Sequence, residues 1–120
     1  MALQAAEAFF HQRPIKIAIN KASFPYHFQN EQGQAAGIMV DLWTLWAKKQ
    51  NVAVEFVILE WSETLNQVKN HTLDIHAGLS ITQERKQFLD FTTPLFFHDS
   101  HIFLQRGIDN VTKLEQLLPY

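Results

Sequence analysis

The stretch Asp74-Ile-His-Ala-Gly-Leu-Ser-Ile-Thr-Gln-Glu-Arg85 decides how this chain reads. It begins as a strand, Asp74 to Leu79, that ends in small residues and passes into a hydroxyl-bearing turn. Thr82 is placed to cap a short helix running through Arg85 and Phe88. A strand that feeds a helix start is the unit of an open α/β sheet, and such sheets bind ligands off the carboxyl ends of their strands. The free N–H groups of a helix start attract anions. Arg85 adds a planar fork suited to bidentate carboxylate binding. Ser80 and Thr82 add hydroxyl donors, and Gly78 would let a ligand approach the backbone. Together these groups form a site for a carboxylate or similar small anion. Spacing alone leaves a second reading open, in which Thr82 only caps its helix and Arg85 is a solvated charge.

The segments on either side repeat the alternation of strand and helix. Ile15-Lys16-Ile17-Ala18-Ile19 has period two and predicts the first strand. Before it, Ala2 to His11 reads as an Ala-rich helix stopped by Pro14. Asn20 to Gly37 reads as a long loop with an aromatic cluster (Phe24, Tyr26, Phe28) around Pro25 and a polar turn at Asn30–Gly33. Ile38 to Gln50 predicts a helix whose Met39, Leu42, Trp43 and Trp46 form one apolar face. Asp41 in its first turn and Lys48 and Lys49 in its last match the helix dipole, and Asn51 is a C-terminal stop. Val52 to Leu59 is a β-branched strand, and Ser62 is placed to cap a helix to Asn70 with Leu65 and Val68 inward. Phe91 to Pro94 is irregular, and Leu95 to Leu104 is apolar enough for one or two strands. Thr112-Lys113-Leu114-Glu115 fits a capping box for a last helix carrying Leu114, Leu117 and Leu118. The alternation predicts an α/β fold with a mainly parallel sheet.

Composition narrows the function. The chain has 120 residues, 47% of them apolar, which suffices for a packed core of one domain. The net charge is −2 and the basic residues do not cluster, so a nucleic-acid surface is not expected. The absence of Cys excludes a thiol nucleophile, a disulfide and a Cys-ligated metal. His98 and His101 stand three apart on an expected strand and would point to opposite faces, while His71 and His76 are poorly spaced for a helix face. No metal and no cofactor are therefore expected. Trp43 and Trp46 read as core rather than ligand stackers, Asp41 as a helix-start residue, and Glu84 and Asp90 as surface residues. No Ser-His-Asp order or paired carboxylate stands out. The apolar runs are too short to span a membrane, and Met1-Ala2-Leu3-Gln4 carries no signal-peptide pattern.

Taken in order, the motifs resemble those of the family 3 extracellular solute-binding proteins. The match runs from about Ile15 to Leu118. After the first strand come Phe24-Pro25-Tyr26-His27-Phe28, Gly37-Ile38-Met39-Val40-Asp41-Leu42, Val54-Glu55-Phe56-Val57, Trp61 to Leu65, Asp74 to Arg85, and Phe88 to Pro94. The resemblance implies one lobe of a type II periplasmic-binding-protein-like fold, with its parallel sheet flanked by helices. It implies that Arg85 pairs with a ligand carboxylate, assisted by Ser80 and the backbone at Thr82. Phe24 is expected to pack over the ligand and Trp61 to line the cleft. The pattern departs at Gly78, where some amino-acid binders have serine, and at Ser23, where many have an aromatic.

The resemblance also implies an organisation. Residues 1–14 form an N-terminal helix and linker, 15–106 the first lobe, and 107–120 the hinge exit and an incomplete start of a second lobe. The expected function is binding of an amino acid or related carboxylate in the periplasm, without catalysis. The expected partners are an ABC-transporter permease or a fused membrane signalling domain, and the Ala-rich start resembles sensor fusions. Self-association of the isolated chain to cover exposed surface is also expected. Alternative expectations on the same fold are a cyclohexadienyl dehydratase-like enzyme and the regulatory domain of a membrane-bound lytic transglycosylase.

Overall fold

A computed structural model describes residues 13–108 and 111–117, so the helix expected over Ala2–His11 lies outside the described residues. The elements run β1 (Ile15–Asn20), β2 (Ala22–Ser23), β3 (His27–Gln29), β4 (Ala35–Ala36), α1 (Ile38–Gln50), β5 (Val54–Leu59), α2 (Trp61–Lys69) and β6 (Ile75–His76). Two short 3-10 turns follow, Arg85–Gln87 and Leu114–Leu117.

The central sheet has the order β5-β1-β6, with β1 parallel to both neighbours. Parallel neighbours need crossovers. The segment containing α1 connects β1 to β5, and α2 connects β5 to β6. The alternation along β1 explains how both faces are covered. Ile15, Ile17 and Ile19 pack with Met39 and Val40 of α1, whereas Ala18 packs with Val68 of α2 and with Leu73. A strand buried on both faces is the mark of a parallel α/β sheet.

Several sequence expectations change in the structure. The Asn20–Gly37 segment is not a plain loop, because β2, β3 and β4 form a small antiparallel sheet within it. In α1 the buried residues are Met39, Val40 and Ala47, with Trp43 and Trp46 packed beside them, and Leu42 is exposed. The apolar stripe is thus rotated about one residue from the expected one. Asn51 ends the helix in the left-handed region, and its N–H bonds to the carbonyls of Ala47 and Lys48. Ser62 does not cap α2. The cap residue is Glu60, whose carbonyl accepts the Thr64 N–H.

The strand expected over Asp74–Leu79 shortens to Ile75–His76, since only these residues pair with β1. Asp74 instead accepts two bonds from the Arg13 guanidinium, at 2.7 and 2.8 Å, and one from the Lys16 N–H at 2.9 Å. The Arg13 hydrogen bond holds the Asp74 carboxyl below its ordinary range. No strand forms over Leu95–Leu104: among the described residues nothing pairs with this backbone, and Phe97 and Phe103 stay exposed. Among the described residues the last expected helix is a 3-10 turn over Leu114–Leu117, and Leu118 lies outside them. Gln116, not Glu115, caps it, its Oε1 accepting the N–H groups of Thr112 and Lys113 at 2.7 and 3.0 Å. Among the described residues, no helix is long and apolar enough to cross a membrane.

Candidate functional site

All three central strands deliver their carboxyl ends to one edge of the sheet. β1 ends at Asn20 and leads to Ser23 and Tyr26, β5 leads to Trp61, and β6 leads to Gly78, Ser80 and Arg85. Ser23, Tyr26, Trp61, Gly78, Ser80 and Arg85 border an open cleft of about 1000 Å³.

Arg85 is half-buried on this edge, and three contacts fix it. Its backbone N–H donates to Thr82 Oγ1 at 3.1 Å, and its Nη1 donates to the Ser80 carbonyl at 2.8 Å. Its guanidinium carbon lies 5.4 Å from the centre of the Trp61 ring, within cation–π range. Among the described residues no carboxylate forms an ion pair with Arg85, whereas Arg13 is paired with Asp74 and Lys21 with Glu60. An oriented guanidinium without an internal carboxylate can receive one from a ligand.

Two buried imidazoles, His27 and His76, also line the cleft. The Asn20 N–H donates to His27 Nδ1 at 2.9 Å, so the proton of a neutral His27 sits on Nε2 and is donated to the Gly78 carbonyl at 3.1 Å. The Gly78 N–H donates to His76 Nδ1 at 3.3 Å, so His76 Nε2–H donates to Thr64 Oγ1 at 3.0 Å. The Thr64 hydroxyl in turn donates to the Trp61 carbonyl at 2.6 Å. The two imidazole rings meet edge-on at 5.8 Å, and His76 meets the Trp61 ring edge-on at 5.5 Å. Burial pushes His27 below its ordinary value. Burial first, then the charges of His27 and Arg85, push His76 down to about 4. Trp43 completes the frame by donating Nε1–H to the Ala77 carbonyl at 2.7 Å.

Of the residues expected at the site, Arg85, Ser80, Gly78 and Trp61 come together at the cleft, although Ser80 contributes its carbonyl to Arg85. Thr82 is not on the cleft wall; its hydroxyl accepts the Arg85 N–H. Phe24 is also off the wall, exposed and tilted against Phe28 at 5.0 Å. Tyr26 lines the cleft instead, stacked on Phe96 at 5.4 Å. Ser23, also on the wall, accepts a bond from Asn20 Nδ2 at 2.6 Å. Gly78 matters for packing as well, because a Cβ there would meet the Met39 side chain at 3.1 Å. The sequence reading gave His27 and His76 no role at the site. No short-range spacing links them, since their partnership depends on the β1–β6 pairing. Among the described residues, no group of three or more His, Cys, Asp or Glu is arranged to hold a metal.

The family model of the bacterial extracellular solute-binding proteins, family 3, matches residues 15–116. The histidine-binding periplasmic protein of Escherichia coli strain K12 is 29% identical over 98% of this chain and 46% of its own length. Among solved structures, the substrate-binding protein of a polar amino acid ABC uptake transporter from Streptococcus thermophilus is 32% identical. It covers 76% of this chain and 34% of its own, with a TM-score of 0.66. A histidine kinase sensor domain with similarity to periplasmic binding proteins is 29% identical, covering 66% of this chain and 34% of its own, with a TM-score of 0.63. The chain spans less than half the length of the curated relatives it matches. With the strand order, the cleft at the carboxyl edge and a family match over most of its length, this chain belongs to the family 3 extracellular solute-binding proteins.

Proposed function

We propose that this chain supplies the carboxylate-anchoring half of a periplasmic binding site for an amino acid, with Arg85 as the anchor. The observation that carries the reading is the Arg85 guanidinium, oriented by the Ser80 carbonyl and the Trp61 ring and without an acidic partner among the described residues. Tyr26 and Trp61 line the cleft and offer aromatic surface to the rest of the ligand. Relatives named for histidine and L-arginine binding support an amino acid as the solute. Binding without catalysis is favoured because both nitrogens of His27 and of His76 already have protein partners. Closure of a second lobe over the ligand would then be read by a transport permease or by a fused signalling domain. The likeness to the sensor domain supports the second route and the likeness to the uptake protein the first.

Calorimetry on the full-length protein tests the anchor. L-histidine and L-arginine are compared with histamine and agmatine, which lack the carboxylate. Arg85→Ala should weaken binding of the amino acids by about 1.5–3 kcal/mol, roughly ten- to a hundred-fold. Arg85→Lys should restore only part of this, because an ammonium has no fork. Equal affinity for the amines and the amino acids, or an unaffected Arg85→Ala variant, would sink the reading.

A further inference from the structure

We propose that His76 is a positioning residue for Arg85, fixing both supports on which the guanidinium rests. The inference builds on the reading of Arg85 as the carboxylate anchor.

The first support is the Ser80 carbonyl, which accepts from Arg85 Nη1 at 2.8 Å. Ser80 lies two residues beyond Gly78, and both polar groups of Gly78 are held by imidazoles. Its N–H donates to His76 Nδ1 at 3.3 Å, and its carbonyl accepts from His27 Nε2 at 3.1 Å. The backbone therefore leaves β6 in a direction that the two rings set. The second support is the Trp61 ring, 5.4 Å from the guanidinium carbon. His76 touches this residue by two routes. Its ring meets the indole edge-on at 5.5 Å. Its Nε2–H also reaches Thr64 Oγ1, whose hydroxyl donates to the Trp61 carbonyl. Thr64 is fully buried and His76 nearly so, which gives these bonds little freedom to rearrange. One side chain thus ties the loop that carries the Ser80 carbonyl to the helix start that carries the indole. Arg85 lies where the two supports meet. Buried, fully satisfied polar networks of this kind hold one geometry because breaking any member leaves an unpaired polar group.

The test uses two variants that separate the ring contact from the hydrogen bond to Gly78. His76→Phe keeps a ring against Trp61 but removes both hydrogen bonds, the acceptor for the Gly78 N–H and the donor to Thr64. His76→Asn puts an amide oxygen close to the place of Nδ1 but removes the ring. Each is made in full-length protein with Arg85 present and again with Arg85→Ala, and affinities for L-histidine and L-arginine are measured calorimetrically. With Arg85 present, His76→Phe is expected to weaken binding about tenfold, a coupling ordinary for residues joined through one network, and His76→Asn less. With Arg85→Ala, either change should cost less than about twofold, because the group being positioned is gone. Equal losses in both backgrounds, or no loss with Arg85 present, would overturn the proposal.

A ligand-free measurement separates failure here from failure of the anchor reading. In the free protein, the Nε–H signal of Arg85 in NMR should shift and exchange faster with water in His76→Phe than in the unaltered protein, while the thermal melt remains cooperative. If Arg85→Ala alone leaves affinity unchanged, the anchor reading falls, and this signal alone decides the positioning claim. An unmoved Arg85 signal would then overturn it.

Discussion

Gly37→Ala is expected to destabilise the protein by about 3 kcal/mol or more, a large share of the 5–15 kcal/mol typical of a domain. Gly37 stands immediately before α1 with φ +118°, where side chains are strained. A Cβ at this position would lie 2.4 Å from the Tyr26 carbonyl oxygen and 2.8 Å from its carbon. Both are backbone atoms, and the same oxygen accepts the Met39 N–H at 2.7 Å, so it cannot retreat without losing that bond. The unfavourable torsion costs about 1–3 kcal/mol and the forced contact about as much again. Gly33→Ala is the comparison. Gly33 also has positive φ, but its Cβ would meet nothing closer than the Gln29 side chain at 3.7 Å, so only the torsion counts, about 1–2 kcal/mol. Urea melts of the two variants measure the difference. Equal losses would mean that the Tyr26–Met39 contact yields easily.

Acidification should produce the other large effect. His76 is held neutral with its pKa pushed from about 6.5 to about 4, so the folded protein binds fewer protons than the unfolded chain between those values. The associated stability is fully present above about pH 6.5 and is lost as pH falls toward 4. At about 1.4 kcal/mol per pH unit, this amounts to roughly 2 kcal/mol lost by pH 5 and about 3 kcal/mol by pH 4. The groups facing His76 explain the sense of the change. Thr64 and Gly78 occupy its two nitrogens, Trp61 packs on its ring, and His27 and Arg85 both disfavour a positive charge. His27, also lowered by burial, acts in the same direction. Stability measured by denaturant at a series of pH values should fall from pH 7 to 5, and His76→Phe should flatten that slope. An unchanged slope in the variant would assign the acid sensitivity to other groups.

The sequence made β1 legible because Ile15, Ile17 and Ile19 alternate strictly and the strand is central. Thr82 and the preceding small residues mark a turn leaving a strand, but spacing alone leaves Arg85 either an anion contact or a solvated charge. Leu42 was misplaced because an apolar stripe defines a face only to within one residue, and the packing of Met39 and Val40 on β1 selects the rotation. The strands β2 and β4 are two residues long, too short for any period to register. Phe24 and Tyr26 are both aromatic and two apart. Which of them reaches the cleft is set by the small antiparallel sheet and not by residue type. His27 and His76 stand 49 positions apart, and nothing local in either segment announces that they hold the two backbone polar groups of Gly78.

The clasp between Arg13 and Asp74 sits at the amino end of β1 and β6, whereas the cleft opens at the carboxyl end. β1 runs six residues, about 20 Å, from the clasp toward the Arg85 end of the cleft, whose lining reaches down β6 to Asp74. Residue 13 therefore enters the sheet at the opposite end of β1 from Asn20. A pull on the main chain at residue 13 would thus be taken by the clasp, at the base of β1, and not by the Arg85 loop.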